Sequence, residues 1–328
     1  LALWEDIARR TADLAANWRA QMYLFRSRFD AYVQAKARAE ARYEAEALAA
    51  LNKAPETGVE RAIAEARAAL AQADEPIAPT LRKGIEELGR DLLGSIGYQL
   101  SVEAPYKARN PERGAMLDWL DQPVNDRPWL EARFDAIAAT DEPAKQARAV
   151  EEIVHWTDPG PGGYYDDLGR IGCNTHVVYT RAWEEDPSGS HTPRTDFPYY
   201  KADKASIAVE KAAFEEAAFE EANTVFKKEQ TPKPGAPVAK PRQELRMSWQ
   251  SQIATHYGTP LKMRYEGLDP EAHYRLRVTY AGRYRPTMTL TANDAYAIHG
   301  PLAQPDPVWP VEYYIPREAT RSGTLDLE

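Results

Sequence analysis

LKMRYEGLDPEAHYRLRVTY, residues 261–280, places Leu261, Met263 and Tyr265 at alternate positions, and after Gly267-Leu268-Asp269-Pro270 does the same with Tyr274, Leu276, Val278 and Tyr280. A period of two is the mark of a strand, because successive side chains leave a pleated backbone on opposite faces. Gly and Pro between the two runs supply the turn. Met288 and Leu290 repeat the alternation, and further strands fit residues 296–298, 311–315 and 324–327. Short strands with turns every ~8–12 residues predict an antiparallel β-sandwich. We assign it to residues 242–328 and leave its closure past Leu327 open.

Upstream the period changes. Trp4, Ile7, Leu14, Trp18, Met22, Phe25, Phe29 and Tyr32 recur at steps of three or four, which predicts one amphipathic helix. It continues without a broad apolar stripe through an Ala/Glu/Arg-rich run to Leu51 and ends at Asn52–Gly58, which contains Pro55. A helix over Val59–Ala73 follows. Another begins after Pro79, with Thr80 as its cap and Leu81, Ile85, Leu88, Leu92 and Ile96 on one face. Trp129, Phe134 and Ile137, then Val150, Ile153 and Val154, mark a helical pair, and residues 98–128 read as ordered loop. The heptad register drifts near Gln21 and Met22, as packing within a globular layer requires, unlike a coiled coil. The fold class is therefore α+β: an N-terminal helical bundle or layer, residues 1–155, followed by the C-terminal antiparallel β-sandwich.

The connecting region, residues 156–241, begins inside the most irregular stretch, HWTDPGPGGYYDDLG at residues 155–169. Gly permits positive φ, Pro fixes φ and Asp caps turns, so regular structure is excluded there. Three readings stay open. Asp158, Asp166 and Asp167 offer hard oxygen ligands for a structural calcium ion, although their spacing matches no EF-hand. Trp156, Tyr164 and Tyr165 offer flat apolar faces beside carboxylates, as a sugar contact needs. Turn chemistry alone also accounts for every Gly, Pro and Asp. Residues 173–179 read as a short strand, 186–200 as a loop, 201–228 as a charged helix, and 231–241 as a Pro-rich linker.

Composition narrows the function classes. The formal charge is −9, with Lys and Arg scattered among carboxylates, so nucleic acid is an unfavoured partner. No apolar run approaches the ~18 residues of a membrane span. The single Cys173 forms no internal disulfide and leaves the compartment open. The chain starts at Leu1 with a helical pattern, which reads as a processed product or the end of a longer protein. There is no phosphate-binding glycine loop, HExxH, nucleophile elbow or ligand-spaced Cys or His pair, so no catalytic residue is assigned and no cofactor is expected besides the calcium candidate. His155 and His176 flank the Gly-rich loop and are candidates to meet in space. Asp166 and Asp167 are neighbours whose side chains point apart in an extended segment, which disqualifies them as a catalytic pair. Trp249, Tyr257, Tyr284, Tyr296 and Trp309 lie in or beside loops of the β-rich end, where exposed rings stack on sugars; Tyr265, Tyr274 and Tyr280 alternate as core residues do.

The run MRYEGLDPEAHYRLRVTYAG, residues 263–282, with YIPREATRSGTLDL from Tyr314, resembles a jelly-roll or malectin-like accessory module of secreted bacterial glycan-degrading proteins. With the Gly/Pro/Asp loop, the chain resembles the C-terminal region of large glycoside-hydrolase-like proteins. The resemblance implies a non-catalytic accessory region, secreted or periplasmic, with a glycan as ligand and a catalytic domain upstream or another chain packed on the helical half. Two alternatives are carried with it: a glycan hydrolase or lyase using carboxylates between the halves, and a structural or assembly subunit.

Overall fold

A computed structural model describes residues 1–10, 15–108, 115–170, 173–179, 184–189, 191–196, 246–250, 252–255, 258–281, 287–305, 308 and 310–328. It is an α+β protein, with helices through residue 154 and antiparallel strands in the C-terminal part. The expected helix at 201–228 and linker at 231–241 lie outside the described residues, as do Tyr257, Tyr284 and Trp309. The described residues divide into two compact units, the first up to residue 139 and the second from 140 onward.

The first unit is built on a 34-residue helix. The single helix expected from Trp4 is two, α1 (Ala2–Arg10) and α2 (Trp18–Leu51). Asn17 makes the new start: its side-chain oxygen accepts the amides of Arg19 and Ala20 at 3.0 and 3.4 Å, satisfying donors that a helix N-terminus otherwise leaves open. Trp4 stacks on Tyr23, with ring centroids 4.7 Å apart. Pro55 does not stop the chain outright but opens a single turn, α3 (Ala54–Thr57), closed by Gly58 at φ 88°. Then come α4 (Val59–Ala71) and α5 (Pro79–Ile96), whose N-cap is Ala78, not Thr80, since Pro79 already occupies the first turn. Phe25 and Tyr32 of α2, Ile85, Leu88 and Leu92 of α5, and Leu100 and Leu120 form one buried cluster. Helix α6 (Arg127–Ala138) buries Trp129, Leu130, Phe134 and Ile137.

Past Val33 the buried face of α2 is partly charged. Lys36 Nζ lies 2.7 Å from Glu40 Oε1; Glu40 Oε2 accepts the Val124 amide at 2.7 Å; Glu44 Oε2 accepts the Asp126 amide at 2.9 Å. These carboxylates tie the ordered loop before α6 to α2, and all three side chains are buried.

The second unit opens with α7 (Pro143–Val154), which buries Val150 and Ile153. Strands β1 (Arg194–Asp196) and β2 (Gln252–Ala254) form a small antiparallel ribbon, with the single turn α8 (Met247–Gln250) just before β2. A four-stranded antiparallel sheet follows the order β3 (Met263–Glu266), β8 (Thr324–Leu327), β5 (Thr287–Ala292), β6 (Tyr296–Ala303). Strands β4 (Arg275–Thr279) and β7 (Pro310–Tyr314) pair separately, and the turn α9 (Arg317–Thr320) precedes β8. Leu276, Tyr274 and Ile315, in or beside the β4–β7 pair, share one core with Ala292, Leu325 and Leu327 of the sheet, an interior compatible with a sandwich. The last strand, β8, lies between β3 and β5. Of the strand expected at 173–179, only Val177 pairs, antiparallel to Met263 at the free side of β3.

Candidate functional site

Two side-chain clusters of the second unit draw on the Gly/Pro/Asp loop. Its first half is fixed by backbone chemistry: the Asp158 carboxylate accepts the Gly160 amide at 2.8 Å, Gly160 and Gly162 have φ of 78° and 71°, and a Cβ on Gly163 would meet the Pro159 carbonyl oxygen at 2.8 Å. From Tyr164 the chain alternates, so Asp166 and Asp167 send their carboxylates to different neighbours, as expected.

Asp167 turns to Arg246. The pair is buried, with Nη2 3.3 Å from Oδ2, and Arg246 also donates to the Tyr165 hydroxyl at 2.7 Å while its guanidinium sits 5.6 Å from the Trp156 ring. Trp156 in turn packs on Trp249 at 5.7 Å. Trp156, Tyr165 and Trp249, all candidate sugar contacts, are thus brought together around a buried ion pair and are only partly exposed. Breaking such a pair leaves a charge buried without compensation, at about 3–5 kcal/mol, so this cluster holds the loop to the segment at 246–250.

Asp166 turns to the other side. Its side chain is 5% exposed, and both oxygens lie within hydrogen-bond distance of His176 Nδ1, at 3.0 and 2.9 Å; the Tyr265 hydroxyl donates to Oδ2 at 3.1 Å. The Tyr265 phenol is pushed well above its ordinary value, first by burial and then by the adjacent Asp166 charge and hydrogen bond, so it stays a donor. The His176 ring stacks on Tyr265 at 4.7 Å and meets the edge of Tyr164 at 4.8 Å. Because a carboxylate only accepts, Nδ1 carries a proton, and in the neutral ring Nε2 then presents a lone pair.

His176 lines an open depression of about 440 Å³ together with Tyr164, Thr175, Val178, Arg264 and Glu266. Tyr164 stands at its lip, 42% exposed, with its hydroxyl donating to the Glu266 carbonyl oxygen. Arg264 makes a two-point contact with Asp326, at 2.7 and 2.8 Å, which holds the Asp326 carboxyl below its usual range.

The other expected contacts fall elsewhere. Tyr296 is half-buried against the sheet core. His155 and His176 find separate carboxylates: His155 Nδ1 is 3.7 Å from Asp158. Asp158, Asp166 and Asp167 therefore serve three different sets of partners, and among the described residues no group of three or more His, Cys, Asp or Glu side chains is placed to hold a metal ion. Sequence reasoning did not find His176, Thr175, Arg264 or Glu266 as a group. The one available signal was the alternation that puts Arg264 and Glu266 on the face of β3 opposite Met263 and Tyr265.

Comparison with protein-family models, with curated proteins and with solved structures found no match.

Proposed function

We propose that the second unit is a carbohydrate-contact module, an accessory region of a carbohydrate-active protein that binds a glycan in the depression beside Tyr164. One observation carries this reading: an exposed aromatic ring, fastened at its hydroxyl, next to an imidazole acceptor, a guanidinium and a carboxylate. A sugar presents an apolar ring face with hydroxyls around its edge, and a site that fits it pairs one flat ring with a few convergent polar groups. The resemblance read from residues 263–282 would imply the same class of ligand. Calcium gains no support from three carboxylates already committed to separate partners, and it enters the test as a control.

A glycan array probed with the purified chain, with and without calcium, tests the reading. Tyr164→Ala is expected to weaken any binding at least tenfold, an effect of about 1.4 kcal/mol. Tyr164→Phe, which keeps the ring and loses only the tether, is expected to weaken it less. An array that stays blank in both conditions moves the assignment to a structural or assembly subunit. That second reading is favoured by Leu3 and Tyr23, 68% and 57% exposed on α1 and α2, apolar side chains that another domain or chain would cover.

A further inference from the structure

The pairing of Asp166 with His176 is more specific than a sugar contact requires. A buried carboxylate holds Nδ1, the ring is clamped between Tyr265 and Tyr164, and the nitrogen that remains belongs to a ring lining an open depression. From these we infer that His176 is a general base, and that the depression hydrolyses a carboxylic ester. The inference goes beyond the carbohydrate reading and shares with it only the depression.

The geometry assigns the parts. Asp166 fixes the tautomer and stabilises the imidazolium that forms when Nε2 takes a proton. Tyr265 supplies a second hydrogen bond to Asp166, which keeps the carboxylate aimed. Thr175 is not the nucleophile: its hydroxyl lies 3.5 Å from Nδ1, the nitrogen already occupied. Neither Ser nor Cys is among the residues lining the depression, so the attacking group is water. Nε2 removes a proton from that water as its oxygen bonds to the acyl carbon. The tetrahedral intermediate then breaks its bond to the alcohol oxygen, and the proton passes from Nε2 to the departing alkoxide. Ester and water give acid and alcohol, and the imidazole returns neutral. The charged and titratable groups around the ring are Asp166, Tyr164, Tyr265, Arg264 and Glu266. Arg264, held on Asp326, is the cation among the depression's lining residues.

The test uses the full chain and 4-nitrophenyl acetate as the probe ester, with free imidazole at equal concentration as the standard. The wild-type chain is expected to exceed His176→Gln by about a hundredfold after subtraction of the buffer rate. Asp166→Asn is expected to lose at least tenfold while its melting temperature shows it folded. A merely structural pair would lower the melting temperature and leave the residual rate alone. Should the variants fail to fold, long-range nitrogen–proton correlations on the wild-type ring decide: the neutral form is expected to be protonated at Nδ1. Protonation at Nε2 overturns the inference, as does a wild-type rate no greater than that of imidazole, or a folded His176→Gln that hydrolyses at the wild-type rate. The wild-type chain itself separates the two readings: hydrolysis with a blank glycan array upholds the base and sinks the sugar contact, whereas glycan binding with no hydrolysis above the imidazole standard does the reverse.

Discussion

Tyr280 shows how one hydroxyl makes the fold pH-sensitive. His299 Nδ1 lies 2.8 Å from the Gly300 carbonyl oxygen, so that nitrogen is the donor, and Nε2 accepts the Tyr280 hydroxyl at 2.6 Å. Burial, and next the neighbouring Tyr313, push the Tyr280 phenol up to about 12. A folded-state value above the unfolded one means that the protonated group stabilises the fold fully below about pH 10, and that this contribution is lost as pH rises from there toward 12. Melting temperatures of the wild-type chain are therefore expected to fall more steeply across that window than those of Tyr280→Phe. Parallel curves would rule out this assignment. The alternation from Tyr274 to Tyr280 was enough to put this side chain on the more buried face of its strand, where it is half-buried. Its hydrogen bond was not legible, because the partner comes from a strand 19 residues further on whose register depends on the β5–β6 pairing.

Helix α2 shows where pattern reading loses its grip. The apolar stripe fades after Val33 because the positions that face inward, Lys36, Glu40 and Glu44, follow one another at four-residue steps and are charged. Periodicity was intact, but three of the buried positions on it were charged, and the loop that Glu40 and Glu44 bind explains why. The expected cost is a matter of charge and not of volume. Glu40→Ala removes the partner of buried Lys36 and the acceptor of the Val124 amide together, and about 3–5 kcal/mol of stability should go with them. Chemical denaturation checks this; a loss below about 1 kcal/mol, the ordinary worth of an exposed pair, would place the cluster in effectively solvated surroundings. The strands were easier, since alternation, Gly267-Leu268-Asp269-Pro270 and the later turns mark nearly every β-element from 263 onward. What they do not reveal is pairing: nothing in TLDL, residues 324–327, says that it joins β3 to β5. The loop at 155–169 was legible as irregular, and Asp166 and Asp167 as diverging, yet the destination of each carboxylate depended on His176 and Arg246, which no local rule brings near.

At the scale of the whole molecule, the two units carry different hydrophobic clusters among the described residues. The cluster around Phe25, Ile85 and Leu92 shares no residue with the one around Leu268, Ile315 and Leu325. If each cluster holds its own unit together, scanning calorimetry is expected to resolve two transitions. Leu92→Ala, which empties a fully buried site, should cost about 2–5 kcal/mol in one of them and leave the other in place. A single transition moving as a whole would contradict that division. Apolar spacing identified α7 as a helix but carried no sign that it groups with the unit from 140 onward, since spacing marks which face is buried and not what covers it.

Strand β8 occupies the inside of its sheet although it comes after every other strand described. Met263 and Leu327, 64 residues apart, face one another, and Leu327 also faces Ala292. Until this segment arrives, β3 and the β5–β6 hairpin are two halves with bare inner edges, held apart by a gap one strand wide. A chain shortened by these residues would therefore expose a vacant slot with defined direction and alternating apolar pockets, which a peptide of the same sequence could enter from solution to restore the sheet.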